Sequence, residues 1–409
     1  MKYMILLGDG MADEPLSQLR EKTPLEYART PNMDRVAAQG TLGRIDTIPQ
    51  GLKAGSDVAN LSVLGYDPCE YYTGRAPLEA ASMGIPLAPD DVAFRCNLVH
   101  LSSGNEPVML DSTADHISTG EGKEIISDLN CSLGSADFSF HPGISYRHLL
   151  VWKGGREELT TTPPHDITGR EVGAFLPQGP DANEILVLME QARDLLPTHL
   201  VNGQRRARGL KEANAIWLWG QGKTLRIPKL WDRFQVRGGM ISAVDLLNGT
   251  AVYAGMEVLP VEGATGYTDT NYLGKAEKAL AALAELDLVF VHVEAPDEMG
   301  HEGNIHGKIK AIEDFDEHVV GTALRGLDSL GNFRIAILSD HPTPIRIRTH
   351  SSDPSPFAVL SSLVGENQGR GKSFSEQAAM QAGTLITPGH HFLEILLQGW
   401  RHFVEQHSR

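Results

Sequence analysis

Three segments of the chain share one pattern, a short apolar run followed directly by acidic or imidazole residues. They are YMILLGDG (3–10), LDLVFVHVEAPDEMGHEG (286–303) and FRIAILSDHPTP (333–344). Short apolar runs rich in β-branched residues and bounded by Gly, Pro and Asp predict buried parallel strands. Because open α/β folds place their sites at the carboxyl edge of the sheet, we expect the polar residues to meet there.

The segments between these runs have helical periodicity. In residues 305–330 the apolar positions recur at roughly helical spacing, with Asp, Glu and Lys between them. The alanine-rich stretch KAEKALAALAEL (275–286) also predicts a helix, because alanine is the strongest helix former. Alternation of strands and helices predicts an α/β fold with a doubly wound sheet.

The middle of the chain has a different pattern. Residues 85–238 mix strand-like and helical pieces between Pro- and Gly-rich turns, without an acid at the end of each strand. The sheet pattern resumes at MISAVDLL (240–247). A chain of 409 residues is long enough for two domains. We therefore predict a discontinuous sheet domain, 1–84 and 239–409, that carries a second, smaller α/β domain inserted at 85–238.

Composition excludes several classes of partner. The net charge of −16 argues against nucleic acid, whose phosphate backbone needs a basic surface, but leaves open a small anion bound by local cations. The N-terminal apolar run ends at Gly8, too soon for a signal peptide, and no stretch approaches the roughly 20 apolar residues of a transmembrane helix. Three cysteines without a C-x-x-C spacing exclude a thiolate zinc cluster and indicate a reducing compartment. We expect a cytoplasmic protein without a membrane partner.

The candidate chemistry lies at or just beyond the ends of the apolar runs. Aspartate with neutral imidazole is a ligand set suited to Mn²⁺, Zn²⁺ or Mg²⁺. Each residue alone is as readily explained as a helix cap, a turn residue or a surface histidine, but burying two adjacent ionisable groups after IAILS is costly without a partner. Six such residues with a serine would hold two ions, the usual clamp for in-line phosphoryl displacement. The six are Asp9, Asp297, His301, Asp340, His341 and His350.

Five ordered motifs extend this pattern over nearly the whole chain. They are LLGDGMAD, GSDVANLSVLGYDP, GATGYTDTNYLGK, EAPDEMGHEGN, and SDHPTP followed by RTHSSDPSPF. The motifs resemble the alkaline phosphatase superfamily and, within it, the cofactor-independent phosphoglycerate mutases of the archaeal type. The resemblance implies an alkaline-phosphatase-like sheet domain and a glycolytic and gluconeogenic enzyme that interconverts 3-phosphoglycerate and 2-phosphoglycerate. It further implies a phosphoserine intermediate and no requirement for 2,3-bisphosphoglycerate or a nucleotide.

The resemblance also implies roles for the candidate residues. One ion would be held by Asp297, His301 and His350, and the other by Asp9, Asp340, His341 and the Ser56 oxygen. Manganese is the expected metal, with magnesium, zinc and cobalt as alternatives. Ser56 would then be a nucleophile without a histidine base, because a directly bound cation lowers the pKa of its hydroxyl. The competing serine, Ser62, matches no nucleophile position and is expected in packing.

Binding the phosphoglycerate requires cations besides the metals. Lys275 in TNYLGK matches an active-site lysine of the family, and arginine suits bidentate contact with phosphate or carboxylate. Each candidate in the inserted domain could equally form a structural salt bridge, and a homo-oligomer stays open. The inserted-domain candidates for binding the anion and handling protons are Arg95, Arg147, His148, His165 and Asp166.

Three alternative functions are weighed against the mutase. Some bacterial members of the family have been proposed as homoserine kinases, but WGQGKT (219–224) follows Trp217 where a phosphate loop needs glycine. A phosphatase or phosphodiesterase would share the metal chemistry and then use water, whereas an inserted lid that excludes water favours transfer back to the bound product. A non-enzymatic binding protein would leave all seven ligands without a use.

Overall fold

The chain forms two compact units. The computed structural model describes residues 1–371 and 373–407. The first unit comprises Met1–Tyr72 and Arg226–Arg409, and the second unit comprises Thr73–Leu225. These boundaries differ from the predicted ones at 84/85 and 238/239. The helix that begins at Arg75 packs its alanines against the strands of the second unit, whereas Gly238 begins a strand of the first unit's sheet.

Strands and helices alternate along most of the chain. The strands are β1 (Lys2–Gly8), β2 (Thr41–Ile45), β3 (Val92–Leu101), β4 (Met109–Asp111), β5 (Phe138–Ile144), β6 (Arg147–Trp152), β7 (Ala215–Lys223), β8 (Gly238–Ile241), β9 (Glu257–Val258), β10 (Leu288–Val293), β11 (Phe333–Leu338), β12 (Ser355–Ser361) and β13 (Leu385–Ile386). The α-helices are α1 (Pro24–Tyr27), α2 (Pro31–Gln39), α3 (Ser56–Val63), α4 (Pro68–Tyr71), α5 (Arg75–Ser82), α6 (Thr119–Leu133), α7 (Asn183–Leu195), α8 (Leu200–Ala207), α9 (Leu230–Phe234), α10 (Asp245–Tyr253), α11 (Tyr272–Ala282), α12 (Ala295–Glu302), α13 (Ile305–Asp314), α14 (Gly321–Leu327), α15 (Glu376–Ala382), α16 (Phe392–Glu394) and α17 (Trp400–His407).

An eight-stranded sheet forms the centre of the first unit. Its order is β13-β2-β12-β11-β1-β10-β8-β9. The central strand β1 pairs in parallel with β10 on one side and β11 on the other, as the apolar runs predict. The sheet is mixed, because β12 pairs antiparallel with both β11 and β2.

The register of the three central strands brings their carboxyl ends together. Leu7 of β1 lies beside His292 of β10 and Leu338 of β11. The loops that follow these strands therefore leave the same edge of the sheet, where the sequence pattern places the polar residues.

The predicted helix over 305–330 is present, with one departure from regular geometry. The α-helix α13 continues through the π-helical segment Phe315–Val320 into α14. Phe315, Val319 and Val320 are buried in the first unit's core, so the apolar stripe faces the sheet as its spacing predicts.

The second unit is an antiparallel sheet with helices and its own hydrophobic core. Strand β3 pairs with β6, with β7 and at its end with β4, and β5 pairs with β6. The core includes Phe94, Ile125 and Trp217, all fully buried. Among the helices of residues 1–371 and 373–407, none combines the length and the apolar character needed to cross a bilayer.

Candidate active site

The predicted ligands other than Ser56 occupy the loops and the helix that follow the three central strands. Asp9 comes directly after β1, and Asp340 and His341 follow β11 after a single residue. Asp297 and His301 lie on α12, which follows β10, and their four-residue spacing places them on the same face of that helix. The fold therefore gathers at one sheet edge residues that lie more than three hundred positions apart in the sequence.

Asp297, His301 and His350 form a first ligand group. The Nε2 atom of His301 lies 3.1 Å from Asp297 Oδ2, and the Nε2 atom of His350 lies 3.5 Å from Asp297 Oδ1. The two Nε2 atoms are 3.0 Å apart. Each ring directs its Nδ1 at a backbone carbonyl, of Arg348 for His301 and of Ala54 for His350. When each Nδ1–H donates to its carbonyl, both Nε2 lone pairs converge on one point, as metal coordination requires.

Asp9, Asp340 and His341 form a second ligand group beside the Ser56 hydroxyl. All three ligand side chains are fully buried. Ser56 Oγ lies 3.2 Å from His341 Nε2 and 3.5 Å from Asp9 Oδ1. The backbone N–H of Gly10 donates to Asp340 Oδ1 at 3.1 Å, which fixes that carboxylate against the loop after β1.

The two ligand groups are adjacent. The imidazole rings of His341 and His350 have centroids 4.2 Å apart. Thr343 touches both groups, because its hydroxyl donates to Asp297 Oδ1 and lies 3.3 Å from His341 Nδ1. Two cations held by these groups would be neighbours, as in two-metal phosphoryl-transfer sites.

Ser56 is the first residue of α3, and its side chain is buried with the rest of that helix. The preceding Gly55 has extended backbone and provides no side-chain cap. The positive end of the helix dipole therefore lies at the Ser56 end, which favours an anion there. A phosphate ester on Ser56 would lie at this end of the helix.

The charges of the site favour bound cations. Burial and the nearby Asp340 carboxylate raise the pKa of Asp9 well above its ordinary value. Burial also raises the pKa of Asp297, but hydrogen bonds from His301 and His350 outweigh burial and hold that pKa well below the usual range. Buried carboxylates this close cannot all ionise without compensating positive charge. The donor set and its convergence fit two divalent ions.

Several side chains at the site were missed by the sequence analysis. His292 lies in β10 with its Nε2 2.8 Å from Asp9 Oδ2, and Glu294 follows that strand with an oxygen 3.5 Å from the same nitrogen. Asn60 donates to Asp340 Oδ2 at 3.0 Å from the next turn of α3. A histidine inside the otherwise apolar run LDLVFVHV was the available signal, since burying an imidazole calls for a partner.

Lys275 is the predicted substrate residue in the first unit. It is fully buried in α11, and its Nζ donates to the His292 carbonyl at 2.9 Å. Burial lowers the pKa of Lys275 to about 8. The Lys275 ammonium is thus held against the backbone of β10, which does not support the substrate-binding role predicted for it.

Three of the five candidate residues predicted in the second unit lie near the Trp219 indole. The Arg95 guanidinium stacks on the Trp219 ring at 4.3 Å and pairs with Glu79 at 3.1 Å. The His165 ring packs edge-on against Trp219 at a centroid distance of 5.5 Å, and its Nε2 lies 3.6 Å from Asp166 Oδ1. These contacts bring three of the five candidates together.

Arg147 shares a sheet face with Arg95, but His148 does not. Arg147 pairs with Asn97 and Arg95 pairs with Leu149, so both arginines project from one face of the sheet. His148 pairs with Cys96 on the opposite face, is buried, and accepts the Gly143 N–H at Nδ1. Burial lowers the pKa of His148 to about 3, so the ring is neutral at physiological pH. This environment does not support the anion-binding role predicted for His148.

Comparison with known proteins gives consistent relatives. A family model described as 2,3-bisphosphoglycerate-independent phosphoglycerate mutase matches residues 37–202. A probable 2,3-bisphosphoglycerate-independent phosphoglycerate mutase of Geobacter sulfurreducens is 49% identical over 398 residues, 97% of this chain and 100% of that protein. The 2,3-bisphosphoglycerate-independent phosphoglycerate mutase of Methanosarcina barkeri is 49% identical over 400 residues, with the same coverage.

Two solved structures share the fold over nearly the whole chain. A protein of Pyrococcus horikoshii superposes with a TM-score of 0.80 at 31% identity, covering 98% of this chain and 97% of that one. The cofactor-independent phosphoglycerate mutase of Thermoplasma acidophilum gives a TM-score of 0.64 at 26% identity, covering 97% and 99% of the two chains.

Proposed function

The chain belongs to the 2,3-bisphosphoglycerate-independent phosphoglycerate mutase family, and on that premise we propose that it interconverts 3-phosphoglycerate and 2-phosphoglycerate through a phosphoserine at Ser56. The observation that carries this proposal is the placement of the Ser56 hydroxyl. It lies within 3.5 Å of Asp9 and His341, at the buried first turn of α3. A nucleophile here is close to metal ligands and to a helix end that favours anions.

The proposed metal assignment follows the two ligand groups. Asp297, His301 and His350 would hold one divalent ion, and Asp9, Asp340, His341 and Ser56 would hold the other, with manganese as the expected metal. Bound ions would supply positive charge that lowers the pKa of the Ser56 hydroxyl and offsets the charge of the transferring phosphoryl group.

The chain's own residues perform the transfer in two halves. In the first, Ser56 Oγ gives up its proton and forms a bond to phosphorus, while the ester bond to one glycerate oxygen breaks and that oxygen takes a proton. In the second, the other glycerate hydroxyl loses its proton and attacks the phosphoserine, the bond from phosphorus to Oγ breaks, and Ser56 Oγ takes a proton again. The positive end of the α3 dipole stabilises the negative charge on the phosphoserine between the two halves.

The glycerate must stay bound and change orientation between the two halves. We assign its binding and the proton movements to Arg95, Arg147, His165 and Asp166. Two observations support this choice, the shared sheet face of the two arginines and the grouping of Arg95, His165 and Asp166 near Trp219. Arginine suits bidentate contact with a carboxylate or a phosphate.

The test follows the phosphoryl group with ³¹P NMR. Purified protein loaded with Mn²⁺ is mixed with 3-phosphoglycerate without nucleotide or 2,3-bisphosphoglycerate, and the expected result is an equilibrium mixture with 2-phosphoglycerate and little free phosphate. Free phosphate accumulating as fast as substrate disappears would identify a phosphatase. Product formed only from homoserine and ATP, in a parallel reaction, would identify a kinase.

A further inference from the structure

His292 contacts the second ligand group but belongs to neither predicted set of ligands. It is fully buried in β10, and its Nε2 lies 2.8 Å from Asp9 Oδ2. Its Nδ1 lies 3.3 Å from the hydroxyl of Ser242, just beyond β8. The backbone around the ring is also fixed, because the His292 carbonyl accepts a hydrogen bond from Lys275.

Donor and acceptor counting determines which nitrogen of His292 carries the proton. An Asp9 carboxylate that is ionised, as a metal ligand must be, can only accept, so the Nε2 of His292 must be the donor. Neutral imidazole then has a lone pair on Nδ1. The Ser242 oxygen already accepts the Val244 N–H at 3.0 Å, and its single proton can be given to that lone pair. The Asp9 carboxylate therefore sets the tautomer in which Nε2 donates, and the Ser242 hydroxyl stabilises that tautomer from the other side of the ring.

The two carboxylate oxygens of Asp9 contact different partners. Oδ2 accepts from His292, whereas Oδ1 faces Ser56 and His341, each at 3.5 Å. A carboxylate held at one oxygen cannot rotate freely, so the other oxygen stays directed at the nucleophile. Such outer contacts orient the ligands of metal sites.

We propose that His292, in the tautomer that Ser242 stabilises, is a positioning residue that orients Asp9 toward the cation beside Ser56. The inference rests on the proposed function for the identity of that cation site. It assigns His292 no contact with substrate and no place among the metal ligands. The competing assignment makes His292 a ligand of a further ion together with Asp9 and Glu294, whose donor atoms also lie close together.

Four variants separate positioning from packing. His292→Phe keeps a ring but removes the donor, and His292→Gln restores an N–H near the position of Nε2. Ser242→Ala removes the hydroxyl proton that Nδ1 accepts. Because Ser242 is only half-buried, this change should disturb the fold less than a change at the fully buried His292. Phe290→Leu is the matched control, because Phe290 is fully buried two residues earlier on the same face of β10 and belongs to neither ligand group.

Calorimetric titration of the metal-stripped proteins with Mn²⁺ measures affinity in the absence of substrate. We expect two ions in the wild type, with one of them bound about 10–100-fold more weakly in His292→Phe, less weakened in Ser242→Ala and largely recovered in His292→Gln. Phe290→Leu should lower the melting temperature without changing either affinity. Unchanged affinity in His292→Phe would overturn the proposal, as would a third ion in the wild type that disappears in this variant.

The tautomer is observable directly. In protein loaded with diamagnetic Zn²⁺, in which Asp9 is ionised, and labelled with ¹⁵N-histidine, the His292 signals, identified by their absence in His292→Gln, should show a protonated Nε2 and an unprotonated Nδ1. Protonation on Nδ1 instead would contradict the proposed role of Ser242. Neither measurement depends on turnover, so a wild type without mutase activity would refute the proposed function and leave this inference to be judged separately.

Discussion

At the scale of single residues, the site is organised by what each imidazole does with its second nitrogen. The rings of His301 and His350 direct Nδ1 at backbone carbonyls, and His341 directs Nδ1 at the Thr343 hydroxyl. Each contact fixes a ring orientation and leaves Nε2 directed at a carboxylate. Orientation is therefore built into the folded chain, which lowers the cost of assembling the ligands around an ion.

Replacing the nucleophile should separate chemistry from folding. Ser56→Ala is expected to abolish isomerisation while leaving the melting temperature nearly unchanged, because a methyl group cannot accept the phosphoryl group. Ser62→Ala is the matched control, since Ser62 is buried in the same helix and donates to the Thr47 carbonyl at 2.6 Å. It should cost about 1 kcal/mol of stability and retain activity. Mass spectrometry of wild type with substrate should find phosphate on the Ser56 peptide, and phosphate on Ser62 would reverse the assignment.

Removing one ligand from either group should remove one ion. Asp297→Asn and Asp340→Asn are each expected to lower the bound manganese by about one equivalent, because each aspartate belongs to a different group. Elemental analysis after equilibration with Mn²⁺ measures this directly. Chelation should inactivate the wild type reversibly, and full activity in metal-stripped protein would exclude the proposed mechanism.

The sequence predicted which polar residues lie together at the sheet edge better than it predicted their surroundings. All seven ligands lie where a polar residue follows an apolar run or belong to a recognisable motif. His292, Asn60 and Thr343 were missed because their roles depend on tertiary contacts that local patterns do not encode. His148 was predicted to bind the anion, but its side chain points into the core. Side chains alternate between the two faces of a strand, and the sequence alone does not say which face is exposed.

At the scale of elements, one buried lysine joins the loops that carry the ligands. Lys308 of α13 donates to Asp13 at 2.7 Å and to the carbonyls of Ala12 and Thr343. Both partners of the ion pair are fully buried at their side chains. The loop after β1 and the loop after β11 are therefore tied to the same helix.

Breaking this ion pair should loosen both loops. Lys308→Met is expected to destabilise the protein by about 3–5 kcal/mol, because it leaves the Asp13 carboxylate buried without its cation. Manganese affinity should fall with it, since the loops carry ligands of both groups. Lys310→Met is the matched control, as Lys310 lies on the same helix in an exposed pair with Asp314 and should cost less than about 1 kcal/mol. Equal effects in urea denaturation would show that burial of the pair is unimportant.

Glu376 of α15, which contacts the loop after β1, should make the free energy of unfolding depend on pH. Burial raises the pKa of Glu376 to about 7 from 4.5, although the Asp13 N–H and the Thr23 hydroxyl donate to its carboxylate. The folded state then binds the proton more tightly than the unfolded state. This group's contribution to stability is complete below about pH 4.5 and is lost as the pH rises through about 7.

Glu376→Gln should therefore stabilise the protein above pH 7 relative to the wild type. The glutamine is neutral at every pH and can still accept from Asp13 and donate to Thr23. Urea denaturation at pH 5 and pH 8 should show that the free energy of unfolding of the variant, relative to that of the wild type, is higher at pH 8 than at pH 5. Glu277→Gln on the exposed face of α11 should show no such difference, and a variant that gains more at pH 5 would contradict the assigned pKa direction.

Elements were more predictable than the way they pair. Apolar runs predicted β1, β10 and β11, and helical periodicity predicted the long helix around Phe315. The antiparallel insertion of β12 between β11 and β2 was missed, because SPFAVLS has the same apolar character as a parallel strand. The π-helical segment was missed for a similar reason, since one extra residue in a turn hardly disturbs helical periodicity.

At the scale of the whole molecule, the chain enters and leaves the second unit at one place. The Thr73 hydroxyl donates to the Lys223 carbonyl at 2.6 Å. A Cβ added to Gly222 would lie 2.3 Å from the Thr73 carbonyl oxygen, so the two backbone segments touch. Each unit also has a separate hydrophobic core, as expected of parts that can fold alone.

Because the chain enters and leaves the second unit at one place, deleting that unit should separate phosphoryl transfer at the metal ligands from retention of the glycerate. Joining Tyr72 to Arg226 through a short Gly-Ser linker removes Thr73–Leu225 while retaining all seven proposed metal ligands. We expect the shortened protein to fold, as judged by circular dichroism, and to bind two Mn²⁺ ions, because both ligand groups lie in the first unit. Isomerisation should be lost, since Arg95, Arg147, His165 and Asp166 are gone and nothing retains the glycerate between the two half-reactions.

The fate of the phosphoryl group then decides what the second unit contributes. With the glycerate free to leave, a phosphoserine formed on Ser56 has water as its main acceptor, so the shortened protein should release inorganic phosphate slowly from 3-phosphoglycerate. Ser56→Ala in the shortened protein should abolish that release. Isomerisation at the rate of the full chain would show that the first unit binds the glycerate by itself. Folded, metal-loaded protein that forms no phosphoserine would place part of the phosphoryl-transfer machinery in Thr73–Leu225.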